Sequence, residues 1–219
     1  MKISTRDLQA RVAALGFSPG PIDGLWGPRT QQAQRAAMAA RKVGSVAELF
    51  HCSGLHRIHL HWTAGASGVI ELERQHYHLL IGQDARAYAG ALKPEANADC
   101  TDGVYAAHTR AMNTGAIGVA LDAMAGALET PFHPGPYPVT PEQVALLADE
   151  VADLCLTYDI PVTPFSVLTH AEVQPTLGVW QRRKWDITWL PGMKAPGKPR
   201  EVGDSLRARI SSALEARAA

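Results

Sequence analysis

The sequence predicts an α/β fold: a mixed β-sheet flanked by helices and preceded by a small all-helical module. Three features carry that expectation. The middle of the chain holds short apolar runs of strand length, a long helix with a clear start follows them, and a Gly/Pro-dense turn separates two short helices at the N-terminus.

Leu8, Val12, Ala13 and Leu15 recur at helical spacing, and Gly16 is placed to end that first helix. The turn SPGPIDGLWGP follows, in which Asp23-Gly24 is a strong turn pair, and a second helix runs from about Arg29 to Ala40. Leu15, Phe17, Ile22, Leu25 and Trp26 are expected to supply most of this unit's core. Residues 43–54 read as a connection with one helical turn at 45–50.

Residues 57–62 form a strand entering Thr63-Ala64-Gly65, and residues 77–81 form a second, bounded by Gly82, with Tyr88 on a third paired to it. Residues 116–121 and 165–169 are further apolar runs of strand length. Thr140, Pro141 and Gln143 make a capping-box start, after which Val144, Leu147, Ala148, Val151, Leu154, Cys155 and Tyr158 form one apolar stripe. Ile160-Pro161 stops that helix, and a Pro/Gly linker at 191–199 leads to a charged helix near 205–217. The expected organisation is therefore a helical module at 1–44, a mixed α/β domain at 45–190, and a linker with a C-terminal helix at 191–219.

The chain has 219 residues, enough for one ordinary domain and a small companion. Its 21 basic and 21 acidic residues balance, which argues against a wholly basic nucleic-acid binder. The balance conceals a partition: residues 1–44 carry seven cations against two anions, 45–190 eight against sixteen, and 191–219 six against three. The basic N-terminal module suits an anionic partner whose binding weakens with salt. The three Cys are too few for a disulfide framework, and no apolar run approaches the length of a membrane span. The first residues lack an apolar signal-peptide core, so synthesis in the cytoplasm is expected.

Nine His are present, and their placement matters more than their number. His59 and His61 share a strand face, which leaves an H-x-H metal pair open. His61 and His170 each end a strand, and Asp186 follows in Arg182-Arg183-Lys184-Trp185-Asp186. Two imidazoles and a carboxylate can hold zinc with an open position for water, an arrangement suited to amide hydrolysis. Glu172 is the alternative carboxylate. There is no His-Glu-x-x-His, Gly-x-Ser-x-Gly, P-loop or dinucleotide fingerprint.

Five strings occur in one order. They are Arg57-Ile-His-Leu-His61-Trp-Thr-Ala64, Gln75-His-Tyr77-His78-Leu-Leu-Ile81, Ala107-His108-Thr with Asn113-Thr-Gly-Ala-Ile117-Gly118-Val-Ala-Leu121, Leu168-Thr-His170-Ala-Glu-Val, and Lys184-Trp-Asp186. Together they resemble the zinc N-acetylmuramoyl-L-alanine amidases of the type-2 amidase and peptidoglycan recognition protein family. The N-terminal string Asp23-Gly24-Leu-Trp26-Gly27-Pro28-Arg-Thr30 resembles the small helical peptidoglycan-binding domain.

The resemblance implies Zn²⁺ on His61, His170 and Asp186, with Lys184 stabilising an oxyanion and Tyr77 hydrogen-bonding the attacking water or the intermediate. It also implies that His78 and His108 line the cleft, either contacting substrate or orienting the metal-binding groups, and that Asn113 contacts substrate. The implied partner is bacterial cell-wall peptidoglycan, without nucleic acid or stable membrane insertion, and a monomer is expected. The implied setting is a phage or prophage endolysin that acts on the wall after release. A cytoplasmic muropeptide-recycling amidase and a non-catalytic peptidoglycan receptor of the same fold are the alternatives.

Overall fold

The computed structural model describes residues 3–218; Met1, Lys2 and Ala219, the outermost residues of the terminal spans, lie outside the described residues. Five strands among those residues form one mixed sheet: β1 (Arg57–Trp62), β2 (Leu79–Ile81), β3 (Ala87–Ala89), β4 (Ala116–Leu121) and β5 (Val167–Thr169). Their order is β3-β2-β4-β1-β5. β1 lies parallel between β4 and β5, β2 is parallel to β4, and β3 pairs antiparallel with β2 as the edge.

Strand alternation divides this sheet into two chemically different faces. Ile58, Leu60 and Trp62 of β1 join Ile117, Val119 and Leu121 of β4 in the main apolar core. That face is covered by α4 (Pro141–Thr157) and α6 (Pro199–Ala218), which add Val144, Leu147 and Val151 from one helix and Val202, Leu206 and Ile210 from the other. Arg57, His59 and His61 occupy the alternate positions of β1, and they too are buried. Both faces of the central strand are therefore covered, as expected for parallel strands.

Thr140 and Gln143 make the expected capping box at the start of α4, each side-chain oxygen accepting from the other's backbone N–H at 3.1 Å. The C-terminal helix begins at Pro199, six residues earlier than its charge pattern suggests. Proline is tolerated in a first turn, where its missing N–H has no helical acceptor, and Val202 then reaches the core.

At the N-terminus, α1 (Thr5–Ala14) and α2 (Pro28–Arg41) pack through Leu8, Val12, Ala33 and Ala37 with Leu49 and Phe50. The expectation that Leu25 and Trp26 belong to this core is corrected: they are 71% and 54% exposed. The reason lies in Gln9, whose buried amide nitrogen sits among Asp23 Oδ1, the Leu25 carbonyl and Thr30 Oγ1 at 2.9–3.2 Å while its oxygen accepts from the Gly24 N–H. The turn's polar groups face inward to satisfy this amide, and its apolar side chains point out.

The helical pair is joined firmly to the rest. Ala10 and Ile22 share an apolar cluster with Met112, Leu168, Val173 and Leu177. Arg6 donates to the carbonyls of Ile22 and Leu177, and Arg57 donates to Asp7 at 2.7 Å. Among the described residues no helix is long and apolar enough to cross a membrane.

Candidate metal centre

His61, at the next-to-last position of β1, is brought beside the strand-to-helix junction where β5 passes directly into α5 (His170–Leu177). His170 is the first residue of that helix. The Glu172 side chain accepts from the Thr169 N–H at 3.0 Å, closing the first turn and fixing where His170 points.

The third group arrives on a returning loop. Gly178 (φ +68°) ends α5, and Arg182 and Arg183 both adopt left-handed backbone (φ 53° and 56°), which reverses the chain within two residues. Trp185 then packs edge-on against Trp62 with ring centroids 4.8 Å apart, and the Asp186 carbonyl accepts from the Ala171 N–H at 2.6 Å. These contacts hold Asp186 Oδ2 3.2 Å from His61 Nδ1 and 3.0 Å from His170 Nδ1.

Two imidazole nitrogens and one carboxylate oxygen, buried and mutually within 4.8 Å, form the cluster capable of holding a metal among the described residues. Nitrogen and carboxylate donors in threes are zinc's ordinary set in sites that keep a position open. The donor chemistry gives a second test of fit. Gln181 Oε1 lies 3.1 Å from His170 Nε2 and can only accept, so Nε2 carries hydrogen. With its ring hydrogen placed on Nε2, His170 turns Nδ1 toward an anionic oxygen, and a cation between the two would accept a donor pair from each. The residues present fit zinc.

Of the sequence-level alternatives, Glu172 is committed elsewhere, since Arg207 donates to both of its oxygens at 2.9 and 2.8 Å. His59 shares the strand face with His61 but turns its Nδ1 to Thr109 Oγ1 at 3.0 Å and stands outside the cluster.

Burial lowers the His61 imidazole to about 4, only partly opposed by Asp186, so the ring is neutral at ordinary pH.

The cluster opens into a cavity of about 280 Å³ lined by Tyr77, His108, Lys184 and Trp185 among others. The Tyr77 ring centroid lies 5.2 Å from that of His61. Burial, reinforced by the charges of Asp186 and Glu73, pushes the Tyr77 phenol well above its usual value. Lys184 is exposed at the mouth and also lines a neighbouring cavity of about 430 Å³ with Arg110, Asn113 and Arg182. Another cavity, about 630 Å³, lies apart, between α1 and the segment around Asp99 and Thr114.

His78 does not reach the cleft: its Nδ1 accepts from the Gly118 N–H at 2.9 Å and its Nε2 meets Asn97 Oδ1 at 3.0 Å. The substrate contact expected of it is corrected on that ground, because both ring nitrogens are spent inside the protein. Asn113 lines the larger of the two adjoining cavities, and its Oδ1 accepts from the N–H groups of His108 and Thr109. Gln181 and Thr109 are the residues that sequence reasoning missed. Thr109 stands beside His108 in a string already singled out, whereas Gln181 carries no local signal.

A family profile described as N-acetylmuramoyl-L-alanine amidase matches residues 51–196. None of the curated proteins matches the chain. Among solved structures, it is similar to the N-acetylmuramoyl-L-alanine amidase LysC from Clostridium intestinale URNW, at 16% identity and a TM-score of 0.42, over 72% of this chain and 86% of that one. A second is the endolysin amidase LysCS from the same organism, at 17% identity and a TM-score of 0.42, over 72% and 84% of the two chains. A third is the ectodomain complex of the peptidoglycan recognition proteins LCa and LCx bound to tracheal cytotoxin, at 17% identity and a TM-score of 0.37, over 55% and 73%.

Proposed function

Because the chain belongs to the N-acetylmuramoyl-L-alanine amidase family, we propose that it hydrolyses the amide between N-acetylmuramic acid and L-alanine in peptidoglycan, with zinc held by His61, His170 and Asp186. The observation that carries this reading is the buried convergence of those three groups at the floor of a cleft, inside the matched segment.

When bound there, zinc acidifies a water molecule and polarises the scissile carbonyl. The chain's own residues supply the rest. Lys184 brings positive charge to the cleft mouth, where negative charge develops on the carbonyl oxygen. Tyr77, kept protonated by burial and by neighbouring carboxylates, donates a hydrogen bond in the same cavity. The cavity beside it, with Arg110, Arg182 and Lys184 on its walls, suits the carboxylates of the stem peptide beyond the L-alanine.

The helical pair at 1–44 is proposed to hold the wall. Leu25 and Trp26 stand exposed, and Leu25 edges a cavity of about 360 Å³ lined by Pro19, Pro21 and Pro28. A wall-binding module joined to an amidase favours an endolysin over an enzyme for soluble fragments, which need no anchor.

The test is digestion of purified peptidoglycan with and without a chelator. New L-alanine amino termini without new reducing ends, abolished by chelation and restored by zinc, are expected. Reducing ends alone would make the protein a glycosidase, and binding without cleavage would make it a receptor. Faster release from polymeric wall than from soluble muropeptides is expected of an endolysin; the reverse would place it in recycling.

A further inference from the structure

We propose that Thr109 and Gln181 are positioning residues: they fix the tautomers of His61 and His170 so that both Nδ1 lone pairs face the metal position. The inference rests on the zinc reading above, and a buried hydrogen-bond chain outside the ligand set carries it.

The chain starts at a group that can only accept, the backbone carbonyl of Ala116, 3.3 Å from His108 Nε2. The other neighbour of that nitrogen, Asn97 Nδ2 at 3.4 Å, has its two hydrogens directed to the carbonyls of Ala106 and Asn113. His108 therefore carries hydrogen on Nε2, and its Nδ1 accepts. The donor to that Nδ1 is the Thr109 hydroxyl, at 2.8 Å.

A hydroxyl has one hydrogen, so once Thr109 donates to His108 its oxygen has only lone pairs left. Two imidazoles reach that oxygen: His59 Nδ1 at 3.0 Å and His61 Nε2 at 3.4 Å, the longest link of the three. Both must be donors. His61 thus carries hydrogen on Nε2 and keeps Nδ1 free, facing Asp186. His59 carries it on Nδ1, which agrees with a buried Nε2 that has no partner among the described residues.

His170 is fixed in the same sense by an independent device. The Gln181 amide nitrogen donates to the carbonyls of Arg110 and Val179, which turns Oε1 to His170 Nε2. Since Arg110 follows Thr109 in the chain, one bond also ties the two positioning loops to each other. Such outer partners of metal-binding imidazoles set which nitrogen is available.

Gly118 makes room for the relay. A Cβ there would lie 2.6 Å from the His108 ring, and Gly118 pairs with His59 across the parallel strands.

The experiment compares the full-length wild type with Thr109→Val, Thr109→Ser and Gln181→Met. The tautomers of the metal-free proteins are read at neutral pH by long-range ¹H–¹⁵N imidazole correlations, and zinc affinity by competition with a chelator. Wild type and Thr109→Ser should show Nε2–H at His61 and His170. Thr109→Val should lose that preference at His61 alone, and Gln181→Met at His170 alone. Each should weaken zinc binding by about 10–100-fold, while Thr109→Ser binds as wild type does. Unchanged tautomers in Thr109→Val and Gln181→Met, or equal loss of zinc in Thr109→Ser and Thr109→Val, would overturn the proposal. A wild type that shows the tautomers but takes up no zinc would overturn the metal reading instead.

Discussion

Replacing Arg207 with Met removes one partner of an ion pair whose side chains are 7% and 1% exposed. The guanidinium donates to Glu172 Oε2 and Oε1 at 2.9 and 2.8 Å and to the Val167 carbonyl at 2.8 Å. Gly203 makes the approach possible, since a Cβ there would lie 2.0 Å from Glu172 Oε2. Without Arg207 the Glu172 carboxylate remains buried, with the Thr169 N–H at 3.0 Å among its few donors. Removing one member of such a pair costs about 3–5 kcal/mol, which for a chain of this size lowers the melting temperature by on the order of 6–20 °C. Urea denaturation of the full chain, followed by circular dichroism, measures it. The double variant Glu172→Met/Arg207→Met leaves no buried charge and should lose only about 1–2 kcal/mol, mostly for the orphaned N–H at Thr169. A single Arg207→Met loss below about 1 kcal/mol, or a double variant no better than the single, would refute the reasoning. Glu172 closes the turn that aims His170, so α6 supports the His61–His170–Asp186 cluster although it lies beyond the matched residues 51–196.

The remaining predictions concern the cleft, the module and its junction. Lys184→Met should lower kcat by about 10²–10³-fold with little change in KM, and Tyr77→Phe by on the order of 10²-fold; an effect confined to KM would make either residue a binding group. Alanine at both Leu25 and Trp26 should weaken binding to insoluble wall by about 10-fold and leave cleavage of a soluble muramyl peptide unchanged; equal losses on both substrates would remove the module's proposed role. At the junction, burial would raise the Asp7 carboxyl, but Arg57 at 2.7 Å, with His56, holds it well below the usual carboxylate range. Its folded pKa lies below its unfolded one, so the stabilisation is complete above about pH 4 and fades as pH falls further. Asp7→Asn should accordingly cost about 1.5–3 kcal/mol at pH 7 and less at pH 3 in denaturation experiments; a penalty that does not shrink on acidification would show that the charge is not what stabilises the junction.

The strands that carry the site were legible because their patterns are local. Residues 57–62 read as a strand from alternation and 116–121 from an apolar run, and the α4 start from Thr140, Pro141 and Gln143. Helix α5 was not foreseen: it has eight residues with Pro175 inside, too short and too interrupted for a 3.6-residue period to show. Asp186 could be named from a motif but not ranked above Glu172 by chemistry, because both are carboxylates within reach of His170 in sequence. What separates them is a cation 35 residues further on, Arg207, which takes Glu172. Leu25 and Trp26 failed for a related reason: apolarity argues for burial, while the neighbouring backbone's demand for the Gln9 amide turns them outward.

The charge partition also takes a different meaning once partners are visible. Among the cations of residues 1–44, Arg6 donates to three backbone carbonyls, and Arg11 and Arg41 both reach Asp159 in the turn after α4. Three charges that look available to an anionic wall are spent joining the helical pair to the sheet domain. The one carboxylate they meet, Asp159, offsets one of these positive charges, and if the module holds the wall as proposed, the exposed Leu25–Trp26 turn is the surface left for contact. Because Ala10 and Ile22 share an apolar cluster with Val173 and Leu177 of α5, that turn sits at a fixed place relative to His170. On the proposed reading, a wall strand held there would reach the cleft at a concentration set by rigid geometry, not by the sweep of a flexible tether. The basic N-terminus is thus better understood as the fastening of the module than as its bait.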